Sequence, residues 1–155
     1  MRRSTDQQVD FDIDLAREQS SDNPVYDIQY AHARICSIIR KAFDAQDEVL
    51  ADDLMAAVGD DINLAVLTDE SELALIRKLT ELPEVVELAA RDMAPNKLTH
   101  FGEELAATFH HFYSQCRVMH DDKDIAQARL YLVDATRTTL RTVFNMLGIS
   151  APEKM

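Results

Sequence analysis

The chain has 155 residues and a formal net charge of −12 at neutral pH, enough for one domain with a core of its own and too short for several. Three Gly, four Pro and no Trp, among many Ala, Leu, Glu, Arg and Met, favour helix over sheet, because unbranched side chains lose little rotamer freedom in a helix. The charge excludes an evenly spread phosphate-binding surface, and no stretch approaches the ~20 apolar residues that cross a bilayer.

The acid excess is local. Residues 42 to 104 carry 16 acids and 4 bases, whereas residues 26 to 41 and 125 to 155 are each net +2, so the first and last helices can share a positive face. The opening Met-Arg-Arg-Ser-Thr-Asp-Gln-Gln has no apolar signal core behind its arginines, and a cytoplasmic protein is expected. Cys36 and Cys116 lie within helical patterns and read as reduced, buried thiols.

In chain order, residues 9 to 15 alternate apolar and acidic with period two, the pattern of a half-buried strand without a partner in this sequence. Asp22-Asn23-Pro24 starts a helix running to about Ala42. Val25, Ile28, His32, Ile35 and Ile39 form its inward stripe, and Tyr30, Arg34 and Lys41 fall off it. Residues 43 to 66 allow a second helix, through Val49, Leu50, Leu54, Met55 and Val58, that stops near Gly59. Thr68 to Glu72 places acids at the start of a helix reaching Leu82. Pro83 opens another to Met93, with Val86, Ala89, Ala90 and Met93 inward.

Past Pro95 a long helix is predicted from Asn96 to Met119, with Leu98, Phe101, Leu105, Phe109, Phe112, Cys116 and Met119 as the central column of the core. A polar turn at His120 to Asp124 leads to a last helix from Ile125 to Leu147, ended by Gly148. Its predicted stripe is Ile125, Ala128, Leu132, Ala135, Thr139, Val143 and Met146, which leaves Arg129, Arg137 and Arg141 on other faces.

No glycine-rich phosphate loop, nucleophile elbow or His-Glu-x-x-His helix occurs. His32 with Cys36 and Cys116 with His120 have four-residue spacing, yet they sit on or beside apolar stripes and lack the loop spacing of zinc sites; no metal is expected. His110 and His111 read as a helix-surface pair. The informative pattern is polar and aromatic: Tyr30 with Arg34, Tyr113 with Arg117, and Arg137 with Arg141, each four apart on a helix. Rings and guanidinium groups are what unstacked RNA bases stack on.

The string from Asp22-Asn23-Pro24-Val25-Tyr26 through Gln29-Tyr30-Ala31-His32-Ala33-Arg34 resembles the Asn-Pro-x-Tyr-x-x-Gln-Tyr-Ala-His-x-Arg segment of arginyl-tRNA synthetases. The resemblance extends to Phe11 to Ala16, Glu72 to Leu79, Phe109-His110-His111-Phe112-Tyr113, Ala128-Arg129-Leu130 and Leu147 to Met155. It implies an all-α helical bundle, the DALR anticodon-binding domain of class I aminoacyl-tRNA synthetases, over residues 22–155, with residues 1–21 as the exit segment of a catalytic domain. The family's His-Ile-Gly-His ATP signature has no counterpart here, so the chain resembles an inactive fragment of an arginine-tRNA ligase. ATP and Mg belong to the parent enzyme, and no cofactor or catalytic residue is expected in this piece.

The implied partners are tRNA(Arg) and the catalytic domain, with neither DNA nor membrane. Ser20, Ser21, Asp22, Asn23, Tyr30, Arg34, Tyr113 and Met155 match positions used around the anticodon loop, and Arg117 and Arg137 extend the expected basic face. Asp27, Thr142-Val143 and Lys154 depart from the family pattern, and residues 43 to 66 match little of it. The rival reading is a helical protein-interaction module with an acidic surface.

Overall fold

The computed structural model describes residues 23–46, 50–56 and 62–155. The expected strand at 9–15, Ser20, Ser21, Asp22 and the predicted stop at Gly59 lie outside the described residues. Every regular element among them is helical: α1 (Pro24–Ala42), α2 (Ala51–Met55), a 3-10 turn (Leu64–Val66), α3 (Glu70–Thr80), α4 (Leu82–Arg91), α5 (Asn96–Gln115) and α6 (Lys123–Leu147). None of these helices is long and apolar enough to cross a membrane.

The caps explain most boundaries. Asn23 accepts from the Val25 N–H at 3.2 Å, and Pro24 follows where no backbone donor is needed. Asp69 and Glu72 form a reciprocal capping box at the start of α3. Asp122 accepts from the N–H groups of Asp124 and Ile125, and Gly148, at φ 69°, closes α6 in the left-handed conformation.

α5 is the central column, packing on α1, α3, α4 and α6, with Leu98, Phe101, Leu105, Phe109 and Phe112 buried. It ends earlier than the sequence pattern suggested. Cys116 is extended (φ −114°, ψ 123°), so Val118 turns inward and Met119 is 45% exposed. Similarly Met93, expected inside, stands 85% exposed, because its φ of 48° turns the chain there and Ala94 is buried instead.

Between Ala42 and Asp69 no long second helix forms among the described residues. Asp44 adopts φ 49°, which breaks the helical path after α1, and α2 has only five residues and no side-chain cap of its own. Helices this short are not stable alone, so α2 depends on its neighbours α1 and α6.

The buried face of α6 is Ala128, Leu132, Val133, Thr136, Arg137, Leu140, Val143 and Phe144, one residue out of phase with the expected Ala135, Thr139 and Met146. Thr136 is tolerated inside because its hydroxyl donates to the Leu132 carbonyl at 2.9 Å. Arg137, expected on an outer face because it falls off the predicted stripe, is only 2% exposed. Asp134 accepts from its Nε at 2.8 Å and Asp52 from its Nη2 at 2.6 Å, which offsets the cost of burying the cation.

Candidate nucleic-acid interface

The buried face of α1 includes Ile28, Ala31, His32, Ile35, Cys36 and Ile39, and the residues on its far side face out. Tyr30, Arg34 and Lys41 are among them. Opposite, Tyr113 projects from α5 one position past the enclosed Phe112, a turn of about 100° from the core. Between the two helices lies a groove of about 430 Å³ lined by Tyr30, Arg34, Lys41, Tyr113, Lys154 and Met155, among others.

The groove holds an ordered stack. The Arg34 guanidinium lies over the Tyr113 ring, 4.9 Å from its centroid, and its Nη1 donates to the Tyr30 hydroxyl at 3.1 Å. Tyr113 is in turn stacked on Phe109 at 6.0 Å, which ties this stack to the core. Tyr30 lies 6.4 Å from the His110 ring. A planar cation held by one ring and one hydroxyl keeps its other face and remaining N–H groups for a third partner.

Segment 149–155 completes the groove and is fixed by α1. Gln29 donates to the Ser150 carbonyl at 2.8 Å, His32 Nδ1 to the Pro152 carbonyl at 2.8 Å, and Arg40 to both the Glu153 carboxylate (3.0 Å) and its carbonyl (2.7 Å). These contacts present Lys154 and Met155, both exposed, beside Arg34. Burial pushes the His32 pKa below its ordinary value, so the ring is neutral with its proton on Nδ1, although the Pro152 bond pulls the other way. Burial likewise pushes the Cys36 thiol up to about 12, leaving it an inert apolar group.

The structure thus brings Tyr30, Arg34, Tyr113 and Met155 together. Asn23 is the α1 cap. Arg117 does not share a helix face with Tyr113, because α5 has ended at Gln115; its carbonyl accepts from Arg129. Arg137 is inside the molecule, so the expected outer basic face does not include it. Sequence reasoning missed Gln29, Arg40 and Glu153, whose partners lie more than 100 positions away, and it gave His32 only a core role. Among the described residues no group of three His, Cys, Asp or Glu converges to hold a metal ion.

The fold and the groove define an all-helical domain that presents basic and aromatic side chains on one edge. The chain belongs to the DALR anticodon binding domain family, whose model matches residues 28–155. It is 48% identical over 153 residues to the arginine–tRNA ligase of Heliobacterium modesticaldum, covering 99% of this chain and 27% of that protein. Against the arginine–tRNA ligase of Syntrophotalea carbinolica the identity is 49% over 155 residues, with 100% and 26% covered.

In structure it is similar to the arginyl-tRNA synthetases of Thermus thermophilus (TM-score 0.75, 30% identity, 96% of this chain and 24% of that one) and Plasmodium falciparum (0.71, 26%, 94% and 23%). The chain therefore spans about a quarter of the length of these relatives. The family expected from the sequence and its all-α class are both established by these matches.

Proposed function

We propose that this chain binds the anticodon loop of tRNA(Arg) in the groove between α1 and α5, and that it orients the tRNA for ATP-dependent arginylation by a catalytic domain of the same cytoplasmic enzyme. The observation that carries this reading is the stack of Arg34 on Tyr113 beside Tyr30. An unstacked base gains by lying on a ring or guanidinium that is already held rigid, since little side-chain entropy remains to be lost. Lys41 and Lys154 are exposed on the same rim and supply charge to phosphates, while Met155 offers a soft apolar wall.

The chain's work in this reading is binding and orientation. Its sequence has no glycine-rich phosphate loop, and in this reading the ATP chemistry belongs to the catalytic domain. The test is a titration of the chain with tRNA carrying an arginine anticodon and with the same tRNA carrying a mismatched anticodon. Tighter binding of the former supports the proposal; equal binding of both, or none, overturns it.

A further inference from the structure

The acidic segment between α1 and α3 is the part of the sequence that matched least of the family pattern, and the reading above gives it no task. Its helix α2 is nevertheless held by bonds from the C-terminal part of the chain. The first helical N–H, that of Ala51, donates to Glu153 Oε2 at 3.2 Å, so a residue 102 positions away supplies the cap that α2 lacks locally. One residue on, the Asp52 carboxylate accepts from Arg137 Nη2 at 2.6 Å and from Arg141 Nη1. The same Glu153 oxygen that caps α2 also accepts from the buried Arg40 of α1.

These bonds form one line, from α6 through Asp52 and Ala51 of α2 to Glu153 and on to Arg40 of α1. Glu153 immediately precedes Lys154 and Met155, the two residues that segment 149–155 contributes to the groove. Arg137 is anchored independently by Asp134, so the α6 end of the line is rigid. The line therefore adds a tie from α2 and α6 to the α1 bonds that already hold the residue before Lys154 and Met155.

We propose that α2 is a brace for the RNA-binding groove, with Asp52 and Glu153 as positioning residues that act through Lys154 and Met155 rather than by touching RNA. This rests on the anticodon-loop reading of the groove. It also gives two acidic side chains a favourable part in binding a polyanion, which is the opposite of what their charge alone dictates. Burial pushes the Asp52 pKa up, but hydrogen bonds from Arg137 and Arg141 outweigh it and hold the carboxyl below its ordinary range, so the brace is charged at neutral pH.

The opposed signs make the test sharp. The chain, Asp52→Asn, Glu153→Ala, Glu153→Gln and the control Asp53→Asn are titrated with the anticodon stem–loop RNA of an arginine tRNA at fixed salt. If charge alone mattered, every variant would bind more tightly than the parent. The brace requires Asp52→Asn and Glu153→Ala to bind roughly 3- to 10-fold more weakly, Glu153→Gln to retain more affinity than Glu153→Ala because its amide oxygen still accepts, and Asp53→Asn to lose nothing.

Amide exchange without RNA provides the second readout. Faster exchange in Asp52→Asn confined to α2 and residues 150–155 supports the brace, and uniform acceleration through α5 overturns it by showing general destabilisation. Should the parent chain fail to bind the stem–loop, the anticodon reading falls and the proposal with it. Should the parent bind while Asp52→Asn and Glu153→Ala bind as tightly or tighter, the brace alone falls.

Discussion

Phe109 of α5 is fully enclosed, and its ring lies stacked against Tyr113 at 6.0 Å, so one side chain both fills the core and supports a ring of the groove from behind. Replacing it with Ala removes a buried aromatic and leaves a cavity, which is expected to cost about 3 to 5 kcal/mol of stability. Chemical denaturation checks this; a loss under about 1 kcal/mol would mean that the site collapses around the missing ring. His32 gives a pH signature. Its folded pKa lies below the ordinary 6.5 because of burial, so as pH falls the unfolded chain takes up a proton before the folded one does. Stability from this residue is complete above pH 6.5 and declines below it, and His110, also lowered by burial, adds to the same decline. The melting temperature is expected to drop between pH 7 and pH 5.5, and to drop less in His32→Asn; an identical slope in both proteins would assign the effect elsewhere. Residue identity was legible in the sequence where environment follows from periodicity, as at Tyr30 and Arg34. It misled at Arg137, because the stripe was placed one residue out of phase and the buried cation's partner Asp52 is 85 positions distant.

At the scale of elements, helix starts at Asn23, Asp69 and Asp122 and the stop at Gly148 were readable because a cap is a local device, decided within three or four residues. The end of α5 and the whole of α2 were not, since Cys116 carries no stop signal and α2 is held by residues from the far side of the chain. The α6 cap has a functional edge: the left-handed turn at Gly148, with the Ile149 N–H donating to the Phe144 carbonyl, aims segment 149–155 at α1. A Cβ at Gly148 meets open space, so Gly148→Ala tests backbone conformation without a clash. The strained φ is expected to cost about 1 kcal/mol, seen as a lower melting temperature with helix content retained. An unchanged melting temperature would show that the turn relaxes into another conformation at no cost.

Across the whole molecule, charge is sorted rather than balanced. Glu70, Glu81, Glu84, Glu87 and Asp92 are exposed on or beside α3 and α4, while Arg34, Lys41 and Lys154 line the groove. An acidic chain can therefore bind a polyanion on one edge, and affinity for tRNA should fall as salt rises. Arg34→Glu should weaken binding, whereas Glu84→Lys, on α4, should leave it nearly unchanged; equal effects would mean that the groove is not the contact. If the groove works by stacking, the ring of Tyr113 is the side chain whose loss matters most to binding. The anticodon stem–loop RNA is titrated at fixed salt against the parent chain, Tyr113→Phe and Tyr113→Ala, with thermal unfolding of each. Tyr113→Ala is expected to lose about 1 to 3 kcal/mol of binding while Tyr113→Phe keeps most of the affinity, because the ring and not the hydroxyl carries Arg34. A Tyr113→Ala protein that melts much lower yet binds the RNA with parental affinity in its folded fraction would make Tyr113 a core residue and rule out stacking on its ring.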